Sequence, residues 1–98
     1  MKIKVQSIHF NADKKLLEFI QEKVDKLGVF YDHIIDGEVF LRLDKNDNSA
    51  NKIMEIKVNI PGKVLFAKEQ CKSFEEATDT AVESLRKQIT KHKEKVKA

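Results

Sequence analysis

Ninety-eight residues, 41% of them hydrophobic, suffice for one thin-cored domain spanning residues 1–98. With 36% charged residues, one Pro, three Gly, no Trp and one Cys, the composition excludes a low-complexity or collagen-like chain, an internal disulfide and a multi-cysteine zinc site. No apolar run approaches the roughly 18 residues of a membrane-spanning helix, and MKIKVQSIHF lacks the unbroken apolar core of a secretory signal, so a soluble protein of a reducing compartment is expected.

Residues 2–8 alternate, with Ile3 and Val5 to one side and Lys2, Lys4 and Gln6 to the other, which predicts a first strand with one buried face. Asp13 is a good N-cap, and Leu16, Leu17, Phe19, Ile20, Val24 and Leu27 recur at helical steps, predicting an amphipathic helix of about four turns. Gly28 stands where a left-handed C-terminal cap would go. A linking segment then carries Phe30, Tyr31, Ile34 and Ile35 and ends at Asp36-Gly37, where the glycine reads as a turn residue. Val39, Leu41 and Leu43 alternate with Glu38, Phe40, Arg42 and Asp44 as a second strand, residues 45–51 form a loop, and Met54 to Ile60 alternate as a third strand. Pro61-Gly62 fits the centre of a type II turn, leading into a fourth strand from Lys63 to about Lys72 with Leu65 and Ala67 inward. Ser73-Phe74-Glu75-Glu76 is a capping box, and Phe74, Ala77, Thr78, Ala81, Leu85, Ile89 and His92 share one face of a second helix of about five turns, frayed over 94–98.

The order β-α-β-β-β-α predicts an α+β fold. Strands two to four pair as an antiparallel meander, and the first helix serves as the crossover that makes strands one and two parallel. Each strand shows one apolar face, so both helices should cover one side of a four-stranded mixed sheet. Lys4, Gln6, Phe40, Arg42, Glu55 and Lys57 then fall on the open side.

The formal net charge is only +3, but it is unevenly placed. Residues 86–98 carry six basic side chains against Glu94 alone, a balance of +5, while residues 1–85 carry thirteen basic and fifteen acidic ones, a balance of −2. A concentrated cationic end suits a polyanion, because each Lys or Arg that meets a phosphate releases a condensed counterion. The bland alternative is a solubilising tail. Around the second helix, Arg86, Thr90, Lys93 and Lys97 border the apolar stripe on one flank, with Lys87, Lys91 and Glu94-Lys95 on the other. Lys23 and Lys26 sit toward the end of the first helix, so the two groups can merge into one positive surface. Complementing a helix dipole accounts for one or two such charges, not six.

Catalytic constellations are not evident. His9, His33 and His92 lack metal-ligand spacing, Cys71 reads as a small apolar filler, and no Gly-rich loop exists to cradle a nucleotide. No cofactor or metal is expected, and the chain reads as a non-enzyme.

The run Ser84-Leu85-Arg86-Lys87-Gln88-Ile89-Thr90-Lys91-His92-Lys93-Glu94-Lys95, with the element order, resembles the short ribosome hibernation promoting factors, also called ribosome-associated inhibitor or sigma-54 modulation proteins. Leu16, Glu18-Phe19, Lys23, Lys26-Leu27, the aromatic pair with Asp32 and Ile34, Ala67, Ala77 and Asp79 extend the resemblance over nearly the whole chain. It implies a cytoplasmic, double-stranded-RNA-binding-domain-like protein, monomeric off the ribosome. Such a protein binds the small ribosomal subunit and its 16S rRNA at the mRNA and tRNA channel of the A and P sites, inhibits translation and preserves idle ribosomes. Short members act with a separate ribosome modulation factor or stabilise single ribosomes. The resemblance implies an rRNA-facing surface of Lys23, Lys26, Lys87, Lys91 and Lys93, extended by Arg86 and Lys95. Ser84 stands where a Lys is usual, Glu75 where an aromatic is common, and Leu17 and His33 where a basic residue often occurs, with Arg86 expected to offset Ser84. The competing readings are a generic duplex-RNA-binding module, a small enzyme and a sigma-factor regulator.

Overall fold

A computed structural model describes residues 1–46 and 49–97, with the side chains of residues 96 and 97 left out. The chain forms β1 (Ile3–Ser7), α1 (Lys14–Phe30), β2 (Asp36–Leu43), β3 (Lys52–Ile60), β4 (Lys63–Cys71) and α2 (Phe74–Lys97). The strands lie in the order β1-β2-β3-β4, with β1 and β2 parallel and the other neighbours antiparallel. This is the predicted α+β fold.

Register explains why one face is buried and the other is not. Val5, Val39, Ile56 and Ala67 lie across from one another on the inner face, and Gln6, Phe40, Glu55 and Lys68 form the adjacent row on the open face. Ile20, Val24 and Leu27 of α1 join Ala77, Ala81, Leu85 and Ile89 of α2 and the inner strand residues in one core cluster. At about 25 cal/mol per Å² of apolar surface buried, this cluster is the main stabilising term. On the open face Arg42 donates to Glu55 at 2.8 Å, and Lys68 approaches the same carboxylate at 3.8 Å. Ile53 is 7% exposed, in register with Arg42 and Gln70, so the open face carries one buried apolar group. Leu43, read as inward, is 43% exposed at the end of β2.

Three turn and cap readings change. Gly28 does not end α1: the helix runs to Phe30 and Tyr31 caps it, its N–H donating to the Leu27 carbonyl. Gly37 is not a turn residue but lies within β2, where an added Cβ would lie 3.0 Å from Met1 Cε and 3.2 Å from the Lys57 carbonyl oxygen, close enough that these neighbours would have to shift by a few tenths of an ångström. The capping box is half formed: the Glu76 N–H donates to Ser73 Oγ at 3.1 Å, and no return bond from the Glu76 carboxylate is present among the described residues. Asp13 caps α1 as expected, accepting from Leu16 N–H at 2.8 Å. Gly62, at φ +77°, supplies the left-handed residue of the Pro61-Gly62 turn. α2 continues as helix through Lys97, past the five turns that periodicity indicated, while Ala98, the last residue of the tail expected to fray, lies outside the described residues.

Candidate nucleic-acid interface

The two helices run in the same sense. Lys23 Nζ of α1 lies 3.5 Å from the Asp79 carboxylate of α2, and seven residues further along both helices the Arg86 guanidinium lies 4.9 Å from the centre of the Phe30 ring. Their C-terminal ends, where the basic residues concentrate, therefore lie together on one side of the molecule. The seven sequence-predicted cations are thereby gathered, but not into equivalent roles.

Lys23 is half-buried, paired with Asp79 and set over the Phe19 ring at 5.4 Å. Lys93 is also half-buried: its ammonium donates to the Phe30 carbonyl at 3.2 Å and lies 4.4 Å from the Phe30 ring centre. It thus satisfies a carbonyl that the end of α1 leaves open, in the position where a helix dipole favours a cation. Lys26, Arg86, Lys87, Lys91 and Lys95 are exposed, and among the described residues none of them makes an ion pair. Lys23, Lys26 and Arg86 line one hollow between the helices with Asp79, and Arg86, Lys87 and Lys91 line the next with Phe30, Thr90 and Glu94, so these five cations form a band across both helices with carboxylates at its margins. Glu83 borders both hollows and marks the limit of the band toward the acidic first half of α2.

Arg86 and Ser84 lie on different flanks of α2. Ser84 is on the β4 flank, where Gln88 Nε2 reaches it at 3.3 Å and donates to the Phe66 carbonyl at 2.8 Å, whereas Arg86 is on the α1 flank. Burial, and then the nearby carboxylates of Glu76 and Glu69, push the Cys71 thiol above its usual pKa, which disfavours a reactive thiolate. Among the described residues no group of His, Cys, Asp and Glu is placed to hold a metal ion, and no helix is long and apolar enough to cross a membrane.

Sequence spacing missed the aromatic cluster beside the cationic band. Tyr31 makes edge contacts with His33 at 5.2 Å and with His92 at 6.2 Å between ring centres. Only the co-directed packing of α1 and α2 brings these residues together. His9 adopts φ +66° in the β1–α1 link, a left-handed conformation in which His is, with Asn and Asp, among the more frequent non-glycine residues.

A mixed sheet covered on one side by two like-directed helices, with basic side chains gathered where they end, defines this as an α+β protein with one cationic end. Its fold is that of a solved ribosomal subunit interface protein from Coxiella burnetii, at a TM-score of 0.85 with 20% identity, covering 95% of this chain and 98% of that one. The chain belongs to the family described as sigma 54 modulation protein / S30EA ribosomal protein, which matches residues 3–97. Similar proteins include the ribosome hibernation promotion factor of Deinococcus radiodurans, 31% identical over 77 residues, and the ribosome hibernation promoting factor of Escherichia coli K12, 25% identical over 97 residues. The alignments cover 78% of this chain and 40% of the Deinococcus protein, and 99% and 98% of the Escherichia pair.

Proposed function

We propose that this chain is a ribosome hibernation factor, which binds the 16S rRNA of the small ribosomal subunit in the mRNA and tRNA channel at the A and P sites. Bound there it inhibits translation by occlusion and preserves idle ribosomes. It works in the cytoplasm as a monomer off the ribosome, and it has no cofactor and catalyses no reaction. The observation that carries this reading is the convergence of five exposed cations, Lys26, Arg86, Lys87, Lys91 and Lys95, at the shared end of two co-directed helices. Such a rigid cationic wedge selects an RNA crevice by shape and charge, with phosphate contacts supplying most of the affinity. The names of the relatives support the ribosome as the target. The acidic first turn of α2, Glu75-Glu76, opposes a generic duplex-RNA module that grips phosphates with the start of its last helix.

The test is co-sedimentation with small subunits. The double variant Lys87→Glu/Lys91→Glu changes two exposed side chains outside the core, so it should fold normally and be lost from the subunit fraction. Undiminished co-sedimentation would overturn the assignment to α2.

A further inference from the structure

We infer that the hollow at the joined ends of α1 and α2 is a stacking subsite for one unpaired nucleobase. This inference deepens the proposed function and rests on its reading of the adjoining band as an RNA surface. The hollow has a volume of about 530 Å³ and is lined by Val29, Tyr31, Asp32, His33, His92 and Lys93, together with Phe30. That volume falls in the range of small-ligand pockets.

The lining selects a base rather than a phosphate. Tyr31 presents a half-buried ring flanked edge-on by the two imidazoles, so three π systems converge on one space. Among the described residues Lys93 is the only ammonium in the lining, and it is already engaged by the Phe30 carbonyl and the Phe30 and Tyr31 rings. Asp32, whose carboxylate lies 3.6 Å from His33 Nε2, sits on the rim and repels a phosphate. The Val29 side, 88% exposed, gives an apolar wall facing solvent. An electrically balanced aromatic hollow beside a cationic band has the features of single-strand recognition: phosphates are held on the band, and a splayed base stacks in the hollow. The hollow meets the band at Phe30, whose ring carries both Arg86 and Lys93.

The chain has one Tyr and no Trp, so its ultraviolet emission reports on Tyr31 alone. The intact protein is titrated with an adenine octaribonucleotide and with an abasic ribose-phosphate octamer of equal charge, following Tyr31 emission and the affinity of each. The expected result is quenching by the adenine octamer only, with roughly tenfold tighter binding than the abasic chain, in line with the energy of stacking one base. The exposed His33→Ala, which leaves the core untouched, should erase most of that difference without changing affinity for the abasic octamer. His92→Ala should do the same from the other helix. Equal affinities with unchanged emission overturn the subsite while leaving the cationic band intact. Failure of both octamers to bind overturns the band and the subsite together.

Discussion

Lys91 and Lys93 are two residues apart and both basic, yet the structure gives them different work. Lys91 is exposed, while Lys93 is turned back onto the end of α1 with its ammonium on the Phe30 carbonyl. Removing the charge at constant length separates the roles. Lys93→Met should lower stability by about 1 kcal/mol, the sum of a charged hydrogen bond and a cation–π contact, less solvent screening. Lys91→Met should leave stability within about 0.5 kcal/mol of the parent and weaken binding to RNA instead. Denaturant unfolding of both variants checks this, and a larger loss for Lys91→Met would refute the division. Thr78 shows the same dependence on surroundings: a buried polar residue in α2 is tolerated because its hydroxyl donates to the Phe74 carbonyl at 2.7 Å.

At the scale of elements, α2 is polarised along its length. Glu75, Glu76, Asp79 and Glu83 occupy its first half, and Arg86, Lys87, Lys91, Lys93 and Lys95 its second. This order complements the helix dipole at both ends while leaving the surplus positive charge at the end that meets α1. Its start is held by Ser73 and by Phe10, whose ring stacks on Phe74 at 5.3 Å. Gln88 fastens its middle to the exposed edge of β4 through the Phe66 carbonyl, occupying an acceptor that an edge strand would otherwise offer to another chain. Ser73→Ala removes the cap bond and should cost about 1 kcal/mol, or roughly 4–8 °C in Tm for a domain of this size. Thermal unfolding followed by circular dichroism measures it. An unchanged Tm would mean that Phe10 and the core alone hold the helix start.

For the whole molecule the decisive quantity is how many cations remain available to phosphates. Of the seven predicted, Lys23 and Lys93 are committed to internal partners, and five exposed ones remain. Under the proposed function, binding to the small subunit should therefore fall with salt at a slope of roughly −3.5 to −4.5 in log affinity against log salt. A slope near zero in a salt titration of sedimentation would rule out phosphate-driven binding. α2 continues beyond its last core residue, Ile89, so Lys91 and Lys95 stand on a stretch of helix that adds nothing to the core cluster.

Periodicity alone determined the element order, the strand alternation and the covered face, because period-two and period-3.6 patterns are local properties of the chain. It also located the surplus charge at one end of α2. Gly62 takes the turn conformation its neighbour Pro61 announces, but local sequence misleads at two other glycines: Gly37 lies in a strand, packed closely against Met1 and the Lys57 carbonyl, and Gly28 sits inside a helix that continues past it. Tertiary packing decided that α1 and α2 point the same way, that Lys93 serves α1 while Lys91 faces outward, and that Tyr31 meets His92 across sixty residues of chain. The reason is physical: a helical stripe specifies which face is buried but carries no record of its neighbour's direction, and only the shared sheet imposes one.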